Sequence, residues 1–424
     1  MLKKTIKKKL NIGIIGLGYV GLPLLSAFAK KKLNVVGFDI DLKKINNLKK
    51  GLSYIDHVDF KFLKKIQKHN CVFTNNFERI KDLDFIILCL PTPLTSKNKP
   101  DLSYIKDTMN QIEPFLNKGQ CLSLESTTYP GTTRELILPY LKKKFNVGKD
   151  FFLIYSPERE DPGRKDIELK NIPKVLGGYS KSCQIIGKNF YKIIFRKIVL
   201  TESLEIAEFT KIFENIFRAV NISLVNEMKF FSEKININFN DVVKASSTKP
   251  FGFMPFYPGP GIGGHCIPID PLYLTYRAKR EGLEMSLIKT SFKVNYKTTK
   301  RIPDIIFKNI KKNKPKILII GLAYKKNVDD IRESPALKII SDLKKKNAYV
   351  DYYDPFIKIM PKTRDYLLDM KSIRLNSRSI KKYDGILICT DHDKIDYDLI
   401  YKNSSIIFDS RNVFKQVSKK IIRV

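Results

Sequence analysis

Gly16, Gly18 and Gly21 stand in GxGxxG spacing directly after the apolar run 12–15 and just before a helical stretch, 24–31. The first glycine of such a run allows a tight turn and the second lets backbone approach a pyrophosphate. The third lets helix pack closely on strand, and the helix N-terminus then faces the phosphates. Alone the spacing is weak evidence, but between a strand and a helix it predicts a βαβ dinucleotide site. Asp39 closes the next apolar run, 35–38, at the distance of roughly 20 residues expected for a carboxylate on the adenosine ribose. Its charge would repel a 2′-phosphate, which favours NAD over NADP.

Further apolar runs at 85–90, 121–124 and 151–155 are separated by helical or loop segments, the habit of a parallel sheet covered on both faces. Residues 202–234 switch to helical periodicity, carried by Ile206, Phe209, Ile212, Phe213, Ile216, Phe217, Val220 and Leu224, and contain neither Gly nor Pro. Segment 250–271 is dense in both and reads as a loop, with helix resuming over 273–280. Strand patterns restart at 316–320, 349–353, 385–389 and 406–408. The expected α/β fold has two doubly wound, Rossmann-like domains, 1–200 and 301–424, joined by a helical domain, 201–300, with one long central helix. Each α/β domain starts with strand, glycine turn and helix, and in each the second strand ends in Asp, at Asp39 and Asp354. That pattern suggests a duplicated architecture.

The net charge of +35 raises nucleic acid or an anionic membrane as a partner. Its distribution argues for solvated lysine faces instead, because the lysines fall in scattered short runs such as 30–32, 142–144 and 344–346, with no aromatic-interleaved stripe. Six cysteines (71, 89, 121, 183, 266, 389) form no CxxC pair, and none of the four histidines pairs at i, i+4 with another. Disulfides, zinc and any other protein-built metal centre are therefore not expected. The basic start followed by an apolar run imitates a signal peptide, but the patterned glycines account for that run better. No apolar stretch is long enough to span a bilayer, so the expected location is the cytoplasm.

The least ordinary segment is Gly263-Gly264-His265-Cys266-Ile267-Pro268-Ile269-Asp270-Pro271. Cys266 reads either as a small buried residue or as a nucleophile needing a positive neighbour or helix N-terminus. A dyad with His265 is rejected, since adjacent residues in an extended segment point apart. Asp270 would share a side with Cys266 if a helical turn begins there. Lys211 and Asn215 lie at i, i+4 on the long helix and suit an oxyanion, although a solvated lysine is the plainer reading. The loops carrying Thr92, Glu125-Ser126-Thr127-Thr128 and Ser156-Pro157-Glu158-Arg159 all follow strands and open at the carboxyl end of the sheet, where ligands bind in such folds.

Together the stretches IGIIGLGYVGLPL, CLPTP, ESTTYPGTT, SPEREDPG, KIFEN, PGPGIGGHCIPIDP, GLAYKKNVDDIRESPA and FDSRN resemble the UDP-sugar 6-dehydrogenase family across essentially the whole chain. The resemblance implies that two NAD successively oxidise a sugar C6 alcohol to a carboxylate, with Cys266 carrying the sugar as thiohemiacetal and thioester. It implies that Lys211 and Asn215 stabilise oxyanions, and that Glu158 is general base with Thr127 and Asp270 positioning water. It places NAD on Gly16, Gly18, Tyr19, Val20, Gly21, Asp39 and Thr92, with Arg332 reaching toward it. It places the UDP-sugar on Arg159, Tyr257, Gly261, Lys325 and Arg411, and a dimer interface on the long helix. In the C-terminal α/β domain, Gly321-Leu322-Ala323 lacks the later glycines of a dinucleotide turn, and Tyr324, Lys325 and Lys326 offer aromatic surface and charge to a uridine diphosphate.

SPEREDPG and FYPGPGIGGHC resemble most the branch acting on UDP-N-acetylhexosamines, with UDP-N-acetylglucosamine the expected substrate and surface polysaccharide (O-antigen or capsule) the expected destination. UDP-N-acetylmannosamine and UDP-glucose are the alternatives. Lys300-Arg301-Ile302-Pro303 departs from the Met-Pro usual in relatives. Two other classes compete. A two-electron hydroxyacid dehydrogenase would need neither Cys266 nor a second α/β domain, and a polyanion-binding protein would leave the motifs without a purpose.

Overall fold

The computed structural model describes residues 10–52, 71–160, 167–264, 266–361, 366 and 368–424. The basic leader 1–9, residues 161–163 of the SPEREDPG stretch with 164–166 after it, and His265 lie outside the described residues, and so does the reading of a His265 dyad. The chain divides into two compact units, Met1–Glu214 with Leu272–Leu283, and Asn215–Pro271 with Glu284–Val424.

In the first unit eight strands form one sheet: β1 (Asn11–Ile15), β2 (Asn34–Phe38), β3 (Cys71–Thr74), β4 (Phe85–Leu88), β5 (Cys121–Leu124), β6 (Phe152–Tyr155), β7 (Lys174–Gly178) and β8 (Ile198–Thr201). Their spatial order is β3-β2-β1-β4-β5-β6-β7-β8. All neighbours pair parallel except β6 and β7, which run antiparallel with Ile154 opposite Gly178. The first six positions have the dinucleotide-binding order, whose switch point lies between β1 and β4. Successive side chains enter cores on opposite faces. Ile12, Ile14, Phe85 and Ile87 join one cluster, Ile15, Ile86 and Leu88 the other. Burial on both sides is why these strands read as continuous apolar runs rather than as alternation.

In the second unit β9 (Lys316–Ile320), β10 (Tyr349–Tyr353), β11 (Gly385–Ile388), β12 (Ile407–Asp409) and β13 (Ile421–Arg423) order as β10-β9-β11-β12-β13, all parallel. This is the other common doubly wound order. Again both faces are covered, Ile317 and Ile319 on one side, Leu318 and Ile320 on the other.

The long helix runs Leu204–Lys234, as its periodicity predicts. Four strands were not foreseen. β3, β8 and β13 are short, with Val199 and Leu200 of β8 exposed, and β7 begins with a lysine and ends in two glycines, so none forms a conspicuous apolar run. The expected loop 250–271 is also corrected: helix begins at Cys266 and continues to Arg280 through Pro271. Pro268 falls in the first turn, where a backbone N–H would have no intrahelical acceptor in any case. Two isolated lysines outside those runs, Lys174 and Lys229, are buried rather than solvated.

Candidate active site

The glycine turn links β1 to the helix Gly21–Lys30. Gly16 has φ +92, and a Cβ there would lie 2.3 Å from the Cys89 carbonyl oxygen; at Gly21 it would lie 1.9 Å from the Gly16 oxygen. At Gly18 it would meet nothing within 4 Å, so the space above this residue is open on the side where a pyrophosphate must approach. Asp39 is buried at the end of β2, where Oδ2 accepts from Leu17 N at 3.0 Å and Oδ1 from Asp41 N at 2.9 Å. Lys44 Nζ lies 3.5 Å from Oδ2. An open phosphate approach, a helix N-terminus and an ordered carboxylate at the β2 end fit a dinucleotide with an unmodified ribose. Thr92 is buried in the turn after β4, whose Pro93 oxygen accepts from Tyr273 Oη at 3.0 Å.

At the ends of β5 and β6 the first unit holds a buried ionic cluster. Glu158 Oε1 accepts from the backbone N–H of Arg159 and Glu160, both at 2.7 Å, and Oε2 faces Lys174 Nζ at 3.2 Å. Lys174 also donates to Glu125 Oε2 at 2.5 Å and to the Pro157 carbonyl at 3.2 Å. Tyr191 Oη hydrogen-bonds Glu125 Oε1 and lies 2.9 Å from Ser123 Oγ. Burial pushes the Glu158 carboxyl up, but the Lys174 ammonium and the two N–H groups outweigh it and hold Glu158 below the usual carboxylate range. Burial pushes the Glu125 carboxyl up, and there the Lys174 charge does not prevail. Neither Lys174 nor Tyr191 was singled out from the sequence, where a lone lysine beside glycines and a tyrosine in a helix give no signal.

Thr127 is half-buried next to this stretch, and Lys211 is half-buried on the long helix. Glu208, one turn before Lys211, is buried and caps the turn after Tyr129: Oε2 accepts from Gly131 N at 2.6 Å, Oε1 from Thr133 N at 2.8 Å and Thr133 Oγ1 at 2.7 Å. Arg159 is bound into its own unit, with Nη2 2.5 Å from Glu214 Oε1 and Nη1 donating to Pro173 O at 2.8 Å.

In the second unit Cys266 is the first residue of a 15-residue helix and, among the described residues, the one exposed cysteine. Burial pushes the thiols of Cys71 and Cys389 up, each to about 12. One turn after Cys266, Asp270 is buried and its Oδ2 accepts from Asn215 Nδ2 at 2.5 Å, so these two predicted residues are brought together.

The loop before Cys266 is held from several sides. Asn226 Oδ1 accepts from Gly259 N at 2.9 Å, Asn295 Oδ1 from Ile262 N at 2.6 Å, and Thr299 Oγ1 donates to Pro260 O at 2.9 Å. A Cβ at Gly259 would lie 2.8 Å from Arg411 Nη1, and one at Gly261 2.3 Å from Thr299 Oγ1. Arg411 Nε donates to Cys389 O at 2.7 Å. Tyr257 is exposed, Lys325 half-buried, and the Arg332 guanidinium rests on Asp330 at 2.7–3.0 Å. Asp354, at the end of β10, is buried: Oδ2 accepts from Leu322 N at 2.7 Å and Ala323 N at 3.2 Å, Oδ1 from Phe356 N at 2.8 Å and Ile357 N at 3.1 Å. His392 Nε2 lies 3.1 Å from Oδ2. The holding role of Asn226 and the pairing of His392 were not foreseen from sequence.

Among the described residues no group of three or more His, Cys, Asp or Glu could hold a metal ion, and no helix is long and apolar enough to cross a membrane.

Comparison with known proteins agrees with this architecture. The chain matches the UDP-glucose/GDP-mannose dehydrogenase family in three parts: its NAD binding domain over residues 10–195, its central domain over 205–297 and its UDP binding domain over 318–416. It is 34% identical over 394 residues to the UDP-N-acetyl-D-glucosamine 6-dehydrogenase of Salmonella typhi, covering 91% of each chain. It is 32% identical to protein CapL of Staphylococcus aureus over 98% of this chain and 99% of that one. The solved UDP-D-ManNAc dehydrogenase of Pyrococcus horikoshii superposes with a TM-score of 0.86 at 29% identity, covering 97% of this chain and 98% of that one. With a dinucleotide turn in one doubly wound sheet, a second such sheet and all three family domains in order, this chain belongs to the UDP-glucose/GDP-mannose dehydrogenase family and is an NAD-dependent UDP-sugar dehydrogenase.

Proposed function

We propose that the enzyme oxidises C6 of a UDP-N-acetylhexosamine, UDP-N-acetylglucosamine by preference, to the uronic acid through a thioester on Cys266. The observation that carries this reading is Cys266 itself, exposed at the first position of its helix with the Asp270–Asn215 pair one turn on. The N-terminal glycine turn would hold NAD, which when bound would supply the hydride acceptor for each of two oxidations; the first takes a hydride from C6 and releases the C6 hydroxyl proton to solvent, leaving the aldehyde. Cys266 Sγ adds to the aldehyde carbon, and its proton passes to the carbonyl oxygen. Loss of a hydride and of that hydroxyl proton leaves the thioester. Water then adds to the thioester carbon as Glu158 takes its proton; the C–S bond breaks and the sulfur recovers a proton. Lys211 and Asn215 donate to the negative oxygen at each stage, a role worth roughly 10²- to 10³-fold per donor. Thr127 and Asp270 orient the water.

In the same reading Gly16, Gly18, Tyr19, Val20, Gly21, Asp39, Thr92 and Arg332 serve the cofactor. Arg159, Tyr257, Gly261, Lys325 and Arg411 serve the UDP-sugar. The division 1–200, 201–300 and 301–424 assigns cofactor, catalytic loop and nucleotide to successive domains. A homodimer is supported by the long helix, where Phe209, Phe213, Phe217, Leu224 and Phe231 are exposed at spacings that share one face. The enzyme would work in the cytoplasm and supply an acidic sugar for surface polysaccharide.

The test is NADH formed per sugar consumed by the purified protein, with UDP-N-acetylglucosamine, UDP-N-acetylmannosamine and UDP-glucose compared. Two NADH per sugar, abolished by Cys266→Ser, is the expected result, and the sugar with the highest kcat/KM identifies the substrate. One NADH per sugar, unchanged in the variant, would overturn the thioester route.

A further inference from the structure

Lys174 is 2% exposed, at the start of β7, with its ammonium facing two carboxylates. A buried ion pair gains little stability over apolar packing, and a second buried carboxylate adds a further desolvation cost that a purely structural pair would not need. Aromatic rings also flank the ammonium, those of Tyr191 and Phe195 lying 5.3 and 5.2 Å from Lys174 Nζ. Other titratable groups facing the cluster are Cys89 and Tyr191, and burial pushes both well above their ordinary values, so both stay neutral near pH 7. Among the described residues the cluster thus holds one cation for two acids.

The two acids are not equivalent. Among the described residues Glu158 has three donors, two backbone N–H groups on Oε1 and Lys174 on Oε2. A carboxylate has about four acceptor sites, which leaves one on Oε2 for a water. Glu125 faces Lys174 and the Tyr191 hydroxyl with its side chain fully buried.

We propose that Lys174 is a positioning residue for the hydrolytic step: its ammonium, divided between Glu125 and Glu158, orients Glu158 and holds it as the carboxylate that takes the proton of the attacking water. Glu125 sets how much of that charge Glu158 receives. This rests on the reading of Glu158 as general base. Removing the cation raises the pKa of Glu158, whereas neutralising Glu125 leaves the whole cation to Glu158 and lowers it. The two substitutions therefore move the acid limb of the hydrolysis rate in opposite directions, which a merely structural cluster does not do.

The experiment measures thioester hydrolysis against pH, with covalent mass on Cys266 as the second readout, in wild type, Glu158→Gln, Lys174→Met and Glu125→Gln. Glu158→Gln is expected to stall as acyl-enzyme, with hydrolysis slowed roughly 10²-fold or more. In Lys174→Met the acid limb rises by about one pH unit or more, and acyl-enzyme accumulates near pH 7 but clears at higher pH. In Glu125→Gln the limb falls. An acid limb unmoved in both, with Glu158→Gln still stalled, overturns the role of Lys174 and leaves the base in place. Normal turnover of Glu158→Gln instead removes the base. If Lys174→Met does not fold, Glu125→Gln decides alone, and an unmoved or rising limb overturns the proposal.

Discussion

Asp39 and Asp354 occupy the same station in their two sheets. Each ends the second strand, and each takes on Oδ2 the N–H of the residue after the glycine that closes the first strand, Leu17 or Leu322. Each takes on Oδ1 the N–H two residues ahead of itself, Asp41 or Phe356. The glycines match as well, since Gly16 N donates to Phe38 O and Gly321 N to Tyr353 O. The difference lies in what else reaches each carboxylate. Asp354 also collects Ala323 N, Ile357 N and His392 and has no exposed surface, whereas Asp39 adds the half-exposed Lys44. The same device therefore fits a ribose in one sheet and serves as internal scaffolding in the other.

Asp39→Asn is expected to weaken NAD binding by roughly tenfold, as loss of a charge-assisted bond implies, and to narrow the preference over NADP. Asp354→Asn should leave both unchanged while lowering stability by about 2 kcal/mol, because buried N–H groups and His392 lose their anionic acceptor. Fluorescence titration with each cofactor and thermal unfolding separate the two outcomes.

Gly18→Ala and Gly21→Ala should fail in different ways. The new methyl at residue 18 meets no protein atom, so melting stays at the wild-type temperature while KM for NAD rises. At residue 21 it collides with the Gly16 oxygen, an overpacking that costs about 1–3 kcal/mol and appears in unfolding curves. Equal melting losses in both variants would contradict this.

Burial raises the Glu208 carboxyl to about 7 against its donors from Gly131 and Thr133. The folded state thus keeps a proton that the unfolded chain releases near 4.5. The stabilisation from this proton is complete below pH 4.5 and is lost as pH rises through 7, a change of about 3 kcal/mol across the window. Glu208→Gln should remove that slope from denaturant midpoints measured at a series of pH values.

Asn215→Asp would place a second carboxylate 2.5 Å from Asp270 Oδ2. Two such groups cannot both ionise cheaply, so one retains a proton well above its ordinary pKa. Activity near pH 8 should drop by roughly 10²-fold, as for a lost oxyanion donor, with partial recovery as pH falls. A flat pH profile in the variant would show that Asn215 does not act through this pair.

Features that depend on neighbours along the chain were legible in the residues alone. The glycine turn, the apolar runs of β1, β2, β4 and β5 and the long helix all follow from local steric rules and periodicity, whereas the helix start at Cys266 did not. Tertiary structure decided what depends on distant partners. Lys174 reads like any of the many lysines of this basic chain until β7 carries it to Glu125, 49 residues away, and Glu158, 16 away. His392 meets Asp354 across 38 residues, and Asn226 meets Gly259 across 33. Whether a charge is solvated or buried is set by what packs over it, and spacing along the chain carries no record of that.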